Sequence, residues 1–249
     1  MQWARAFTQI APVYDRLMSQ VDYGTWCDYI VSLFAQARRP ILEVMDLACG
    51  TGNLTRELLL RGYRVSGLDA SAEMLSVARE KLPEVEFFQG DFLRWGIERD
   101  FDAVTCVFDS LNNILLDEEM MAAFSEVSDH LRPGGIFVFD LNTVYGLKRY
   151  WNDNIRVHED EGIFSVWRTR FIKPDKSELR ISVFAEEGGA WKRMDELHIE
   201  RGYTAAGIIR MLKKVPGFSE ARAFHHLTLL PPGRKTGRIT FVAIKNVYS

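Results

Sequence analysis

The chain turns sharply at Asp46–Gly52, where the sequence reads DLACGTG. This stretch closes a nearly continuous apolar run, Ile41–Ala48, which is typical of a buried parallel strand. Glycine lets a backbone turn tightly and approach a ligand closely, and Asn53 is a favourable N-cap for a helix over Leu54–Arg61. The pattern therefore predicts a strand, a tight turn and a helix, with a ligand site where the strand ends.

Strands and helices alternate on both sides of this turn. Before it, apolar residues on one helical face predict an amphipathic helix over Asp22–Arg38 that Pro40 ends. After it, further strands are predicted at residues 63–68, 85–89, 102–108 and 136–140, separated by helices at residues 71–82 and 117–131. Strict alternation of this kind predicts a parallel sheet with helices on both faces.

Residues 143–202 follow a different pattern. Apolar and polar residues alternate with period two over Ile155–His158, Ile163–Ile172, Glu178–Glu186 and Trp191–Tyr203. This alternation predicts an inserted antiparallel β meander. The α/β pattern then resumes with a helix over Thr204–Lys214 and strands over Phe218–Leu227 and Arg238–Val247. The sequence thus predicts one α/β domain over residues 1–142 and 203–249, with a helical lid at 1–40 and a substrate-covering insertion at 143–202.

Composition narrows the class of protein. The 249 residues are 47% hydrophobic and 26% charged, which is ordinary for a globular protein with a proper core. A net charge of −3 gives no general attraction to nucleic acid or anionic membrane. The first ten residues lack the pattern of a signal peptide, and no apolar run is long enough for a membrane span. Cys27, Cys49 and Cys106 have no metal-ligand spacing. We therefore expect reduced thiols, no metal and a cytoplasmic protein.

Acidic residues follow the second and third predicted strands. Asp69 ends the second strand, 17 residues after Gly52, where a carboxylate can accept hydrogen bonds from two ribose hydroxyls. Asp91 and Phe92 follow the third strand, where a carboxylate and a ring can hold adenine. A nicotinamide dinucleotide site competes with this interpretation, but its fingerprint requires a third glycine where this chain has Thr55. The residues therefore favour a nucleotide-like ligand without a pyrophosphate.

Four motifs in this order and spacing resemble those of class I S-adenosylmethionine-dependent methyltransferases: Asp46–Gly52, Gly67–Ser71, Gly90–Phe92 and Leu131–Gly135. The resemblance implies an α/β fold with a Rossmann-like, doubly wound, seven-stranded sheet whose last strand is antiparallel. It also implies S-adenosylmethionine as methyl donor and S-adenosyl-L-homocysteine as product. The meander resembles, in outline, that of small-molecule enzymes such as the sugar N-methyltransferases and the glycine/sarcosine type.

The same resemblance implies roles in donor binding. Gly50 and Gly52 would lie beside the methionine part of the donor, and Asp46 would orient the turn or the donor ammonium group, unless it only caps backbone amides. Asp69 would bind the ribose, unless it caps the next helix. The pair Asp91–Phe92 would hold the adenine, unless the ring belongs to the core. The predicted donor set is Asp46, Ala48, Gly50, Gly52, Asp69, Ala70, Asp91, Phe92, Tyr14 and Tyr23.

Candidates for catalysis lie after the fourth strand and in the lid. A sulfonium methyl group is a strong electrophile, so positioning does much of the work, and a base is needed only for a protonated nucleophile. Asp109 is a candidate base or amine ligand, with loop capping as the alternative. Asn113 stands where the sugar N-methyltransferases have a histidine, which counts against amino-sugar acceptors. Tyr14 is a catalytic candidate, and both Tyr14 and Tyr23 resemble a lid whose rings attract the sulfonium by about 0.5–2 kcal/mol.

The meander offers a second set of candidates. His198 shares one strand face with Glu196 and Glu200, and Arg168 and Arg170 share another. If the meander covers the site, His198 is a candidate base and an arginine could bind an acidic substrate. The alternative, which the pattern favours, is a solvated sheet face with ordinary charge pairs.

The sequence thus predicts an enzyme that moves a methyl group by in-line displacement to a nitrogen or oxygen of a small molecule. Three alternatives are a methyltransferase acting on RNA or protein, an NAD-type oxidoreductase and a non-catalytic donor-binding module. Enzymes that methylate the amine of a nucleic-acid base carry an Asp/Asn-Pro-Pro-aromatic motif after the fourth strand. The corresponding stretch here, Asp109–Asn112, contains no proline. We expect no nucleic-acid or membrane partner, and a homodimer stays open.

Overall fold

The computed structural model describes residues 4, 6–160 and 162–247. In these ranges a mixed sheet contains β1 (Glu43–Leu47), β2 (Arg64–Asp69), β3 (Glu86–Gln89), β4 (Phe101–Cys106), β5 (Leu131–Asn142), β10 (Phe218–His225) and β11 (Arg238–Lys245). The strand order is β10-β11-β5-β4-β1-β2-β3. The last strand, β11, runs antiparallel to both of its neighbours. The predicted seven-stranded, doubly wound sheet is confirmed.

Helices cover both faces of this sheet. The described helices are α1 (Tyr14–Leu17), α2 (Tyr23–Phe34), α3 (Asn53–Leu60), α4 (Ala72–Lys81), α5 (Asp117–Asp129), α6 (Val144–Tyr150) and α7 (Ala205–Lys214). Strand β1 shows how the sheet is buried on both sides. Val44 packs in the apolar cluster shared with α2 and α3, and Met45 packs in the cluster shared with α5 and α7. A parallel sheet covered in this way explains the continuous apolar run in the sequence.

A second sheet is formed by the inserted residues. Its antiparallel strands, in the order β6-β7-β8-β9, are β6 (Asn154–Asp160), β7 (Ile163–Ile172), β8 (Lys176–Glu187) and β9 (Ala190–Arg201). The period-two alternation is therefore confirmed. Helix α6, which comes between β5 and this sheet, is absent from the sequence prediction. It is only seven residues long, and Thr143 caps it by accepting a hydrogen bond from the Gly146 N–H, so its apolar pattern is too short to show a helical period.

Several predicted element ends are wrong. Helix α2 is capped by Asp22 and ends at Phe34, well before Pro40. Asn53 does not cap α3, because Gly52 takes the N-cap position with φ of 80°. Strand β5 begins at Leu131 rather than after the Pro-Gly-Gly sequence.

The N-terminal segment lies on the inner face of the meander. Ala4 pairs with β9, donating to the Asp195 carbonyl at 3.1 Å. The buried carboxylate of Glu196 accepts the backbone N–H groups of Phe7, Thr8 and Ile10 at 2.8, 2.8 and 3.0 Å. Consequently the strand face with Glu196, His198 and Glu200 is buried. The interpretation of that face as solvated is wrong, because a segment almost 190 residues away in sequence covers it.

We predict that Glu196→Ala destabilises the fold by about 3 kcal/mol, since three backbone N–H groups lose a charged acceptor. Burial alone would raise the pKa of Glu196, but the hydrogen bonds from His198, Ile10 and Phe7 hold it below its ordinary value. The stabilisation is therefore present above about pH 4.5 and is lost as the pH falls below that value. Urea unfolding at several pH values measures both effects. Glu159→Ala, on an exposed position of β6, is the matched control, and equal losses in the two variants would contradict the prediction.

Candidate active site

A cavity of about 270 Å3 opens at the carboxyl ends of β1, β2 and β4. Its floor comes from the turn after β1 and from the residues that follow β2, β3 and β4. Its cover comes from the N-terminal segment and from the first residues of α1 and α2, through Ala6, Phe7, Tyr14 and Tyr23. All ten residues of the predicted donor set except Gly52 line this cavity. Gly52 lies just behind the turn, where a Cβ atom would be 3.1 Å from Leu82.

The backbone of the turn requires glycine at its centre. Gly50 has φ of 55°, and a Cβ atom built there meets no heavy atom within 4 Å. The position is therefore open, and its backbone conformation, rather than a lack of space, disfavours a side chain. Ala48 also has a positive φ of 57°, which a non-glycine residue adopts only when its surroundings hold it there. The turn thus presents backbone rather than side chains to a ligand.

Asp69 holds this turn in place. Its Oδ2 atom accepts the Gly50 N–H at 2.8 Å, and its Oδ1 atom accepts the Ser71 N–H at 2.8 Å. Helix α4 is capped by Ser71, which accepts from the Met74 N–H, so the alternative of Asp69 as the helix cap is wrong. Burial raises the pKa of Asp69, against the hydrogen bonds that favour its charged form. A carboxylate has about four lone-pair sites, so two protein donors leave capacity for two ribose hydroxyls.

Asp46 is buried beneath the turn. It accepts hydrogen bonds from the hydroxyl groups of Thr55 at 2.7 Å and Thr105 at 3.1 Å. Burial raises its pKa to about 6. Thr55, where the dinucleotide fingerprint has its third glycine, therefore carries a hydroxyl that Asp46 uses. This contact fits a ligand without a pyrophosphate.

Asp91 and Phe92 form the end of the cavity after β3. The Asp91 Oδ1 atom accepts the N–H groups of Leu93 and Arg94 at 2.8 and 3.0 Å, which closes a local turn. Phe92 lines the cavity and also packs against the core on the α5 side of the sheet. The two interpretations of the Phe92 ring, as a ligand contact and as core, are therefore compatible.

The lid is tied to the floor by Asp15 of α1. The Asp15 carboxylate accepts hydrogen bonds from the Thr51 hydroxyl, from Asn53 Nδ2 at 2.9 Å and from Lys81 Nζ at 2.6 Å. Burial works against its charge, but these donors hold the pKa of Asp15 below its ordinary value. The sequence did not identify the contact between Asp15 and Lys81, because two residues that lie 66 positions apart leave no local pattern.

The two lid tyrosines are neutral groups. Burial, together with nearby acidic groups, raises the pKa of Tyr14 far above its ordinary value. Burial raises the pKa of Tyr23 to about 12. The Tyr23 ring lies 4.9 Å from that of Phe108, and Tyr14 meets Phe7 edge-on at 6.2 Å. The cover therefore presents aromatic surface and hydroxyl groups that stay protonated.

Two catalytic candidates lie outside the cavity lining. Asp109 turns inward, where its carboxylate accepts Asn142 Nδ2 at 2.6 Å and pairs with Arg238 at 3.0 Å. His198 is 3.0 Å from Glu196 and packs edge-on behind Phe7, with ring centroids 4.7 Å apart. His198 would reach a ligand only if Phe7 moved, so its role as a base stays a prediction. From the loop after β4, Phe108, Ser110 and Asn113 line the cavity instead.

The arginines proposed to bind an acidic substrate lie elsewhere. Arg168 pairs across the sheet with Arg180, which pairs with Leu197, so it faces away from His198. Arg170 shares that outer face, and neither arginine lines the cavity. The described residues contain no group of three or more His, Cys, Asp or Glu side chains placed to hold a metal. None of the helices in the described ranges is long and apolar enough to cross a membrane.

Comparisons with known proteins agree with this geometry. Residues 44–135 match a family described as a methyltransferase domain. Over 241 residues the chain is 32% identical to a putative methyltransferase, YqeM, of Bacillus subtilis (strain 168), covering 95% of this chain and 96% of that one. A crystal structure of an S-adenosylmethionine-dependent methyltransferase from Clostridium acetobutylicum ATCC 824 is 32% identical, with a TM-score of 0.83 and coverage of 96% and 98%.

The chain is also similar, over about half of its length, to an amino-sugar N,N-dimethyltransferase. The chain is 33% identical over 132 residues to a dTDP-3-amino-3,4,6-trideoxy-alpha-D-glucopyranose N,N-dimethyltransferase of Streptomyces venezuelae. That match covers 52% of this chain and 56% of the relative.

The methyl donor of the cavity is S-adenosylmethionine. Three features of the site fit this donor: Asp69 at the end of β2, the open turn after β1 and Thr55 in place of a third glycine.

We predict that Asp69→Ala weakens S-adenosylmethionine binding by at least about 30-fold, since a charged acceptor for the ribose and the brace on Gly50 are both lost. Isothermal titration calorimetry measures the affinity. Asp100→Ala removes an exposed aspartate and is expected to leave it unchanged. Full affinity in Asp69→Ala would show that the ribose binds elsewhere.

We predict that Asp15→Ala weakens donor binding by about tenfold, because the lid loses its hydrogen bonds to the turn while the floor stays intact. The loss is expected mainly in a faster dissociation rate, which stopped-flow fluorescence measures. The same Asp100→Ala variant serves as control. An unchanged dissociation rate would mean that the Asp15 contacts do not hold the lid.

Proposed function

The chain belongs to the S-adenosylmethionine-dependent methyltransferases, and we propose that it methylates a nitrogen atom, or an oxygen atom, of a small molecule. The observation that carries the proposal is the cover over the cavity. The N-terminal segment is anchored to the meander through Glu196 and to the turn after β1 through Asp15. A cavity closed in this way suits a compact acceptor better than a segment of a long polymer.

The acceptor side of the cavity is aromatic, with a few neutral polar groups. Phe7 and Phe108 supply apolar surface, Tyr14 supplies a hydroxyl group, and Ser110 and Asn113 supply further hydrogen-bonding groups. Such a lining suits a ligand held by ring and sugar-like surfaces with few directed hydrogen bonds. The arginines of the meander face away from it, so an anionic acceptor has no counter-ion in the lining described.

The chemistry of this lining favours nitrogen over oxygen. S-adenosylmethionine supplies an electrophilic methyl group. Among the described residues, the acceptor side contributes no His, Lys or carboxylate to the cavity, and the neighbouring tyrosines stay protonated. An uncharged amine attacks through a free lone pair without a base, whereas an alcohol requires its proton to be removed. The similarity to an amino-sugar N,N-dimethyltransferase supports the same preference, although Asn113 replaces the histidine of that group.

The donor residues have separate tasks in this proposal. Asp69 holds the ribose, Asp91 and Phe92 hold the adenine, and Gly50 leaves room for the methionine part. The faces of Tyr14 and Tyr23 stabilise the sulfonium charge by about 0.5–2 kcal/mol. With donor and acceptor aligned and water excluded, most of the rate enhancement comes from positioning.

We predict that labelled methyl groups appear in small molecules when the protein is given S-adenosylmethionine and a low-molecular-mass metabolite extract. Parallel reactions contain purified RNA or denatured protein in place of the extract. Label in RNA or protein, with none in the extract, would overturn the proposal. The rate is expected to rise with pH through the ordinary pKa of the acceptor amine, because only the uncharged amine reacts.

Ser110→Ala and Asn113→Ala are each expected to lower the labelling rate by about tenfold and to change donor affinity by less than about threefold, since both line the cavity from the loop after β4 rather than from the turn after β1. Asn154→Ala, on exposed β6, is the matched control. Equal losses of donor affinity and labelling would contradict this division of the cavity.

A further inference from the structure

The loop after β4, residues 108–113, has two sides. Phe108, Ser110 and Asn113 line the cavity, whereas Asp109 and Asn112 point into the protein. Phe108 and Asp109 are both left-handed, with φ of 58° and 53°. Two consecutive non-glycine residues in this region are unfavourable and persist only where surrounding contacts hold them. The shape of the acceptor wall therefore depends on those contacts.

Arg238 of β11 provides the contacts for the first half of this loop. Its Nη2 atom lies 3.0 Å from Asp109 Oδ1, and its Nη1 atom donates to Asp140 Oδ2 at 2.8 Å. The same Asp140 oxygen accepts the Asp109 N–H at 3.3 Å. The guanidinium thus fixes the Asp109 side chain directly and its backbone through Asp140. A planar group with five donors suits this double contact.

A second route leads from Arg238 to the cavity wall. The guanidinium lies over the Trp26 ring, 5.4 Å from its centroid. Trp26 in turn stacks on Phe108, with ring centroids 4.0 Å apart and an angle of 17° between the planes. Phe108 forms part of the cavity wall. Arg238 therefore supports both of the left-handed residues.

The second half of the loop has its own supports. Asn112 Nδ2 donates to the carbonyl groups of Asn142 and Arg201 at 3.0 and 2.6 Å, and its Oδ1 atom accepts the Asn142 N–H at 2.9 Å. Asn142 Nδ2 also donates to Asp109 and to Glu200 of the meander. These contacts do not involve Arg238. Loss of Arg238 is therefore expected to loosen Phe108 and Asp109 without unfolding the loop, since Asp109 keeps its hydrogen bond from Asn142.

We propose that Arg238 is a positioning residue for methyl transfer, which sets the acceptor wall by holding Phe108 and Asp109 in their left-handed conformation. Asp109 then acts through the loop and not as a base, since its carboxylate turns away from the cavity toward Arg238 and Asn142. The inference rests on the proposed function for the identity of the acceptor. The contacts of Arg238 with the loop do not depend on it.

The test compares Arg238→Met, Arg238→Lys and Arg234→Met, the last an exposed arginine on the loop before β11. Hydrogen exchange measured by mass spectrometry reports the opening of residues 107–113. Calorimetry with S-adenosyl-L-homocysteine reports donor-site affinity. Label transfer into the metabolite extract reports the reaction.

For Arg238→Met we expect exchange in residues 107–113 to be at least about tenfold faster and label transfer at least about tenfold slower, with affinity for S-adenosyl-L-homocysteine within about threefold. Arg238→Lys is expected to restore part of both losses, because it keeps a cation but not the planar fork. Arg234→Met is expected to match the unmodified protein.

Unchanged exchange in the loop would overturn the proposal, and so would faster exchange throughout the protein with lost affinity, which would indicate a general structural role. A different set of results is expected if the protein does not methylate small molecules. In that case label is absent from the extract for every variant, while the exchange and affinity results keep their predicted order.

Discussion

The structure depends on the contact between the Asp69 carboxylate and the turn after β1. One carboxylate oxygen fixes the Gly50 N–H at the end of β1, and the other fixes the Ser71 N–H at the start of α4. Two neighbouring strands and one helix are thereby brought to a common point. Hydrogen bonds to a carboxylate are short and strong, so Asp69 has a defined position in the protein without a ligand. The other parts of the donor site are placed relative to this contact.

The sequence could place the residues of the predicted donor set at one cavity because they are close together along the chain. Asp46, Gly50 and Asp69 each end or follow a strand, and the carboxyl ends of neighbouring parallel strands meet at one edge of the sheet. The Thr55 argument against a dinucleotide likewise needed only the spacing of one turn. The fold followed from the same alternation, with errors at the ends of helices and strands and in the short helix α6.

The acceptor half could not be predicted, because its contacts join distant parts of the chain. Arg238 meets Asp109 across 129 residues of sequence, and Glu196 meets Phe7 across 189. Neither pair leaves a local period or spacing. Arg238 received no role in the sequence prediction, and Glu196 was predicted to lie on a solvated face. Burial of Glu196 by a remote segment made that prediction wrong.

The hydrogen bond from Thr55 to Asp46 has a consequence for how the ligand preference of such a site can change. A dinucleotide requires glycine at position 55, but Thr55→Gly would remove a hydroxyl donor from a carboxylate that is 2% exposed. The Thr55→Gly variant would therefore contain a buried Asp46 carboxylate with one hydrogen-bond donor fewer. Asp46 would keep the hydrogen bond from the Thr105 hydroxyl, so the cost of the substitution depends on how well that one donor stabilises the buried carboxylate. The preference for the methyl donor therefore depends on the packing beneath the site as well as on the surface that contacts the ligand.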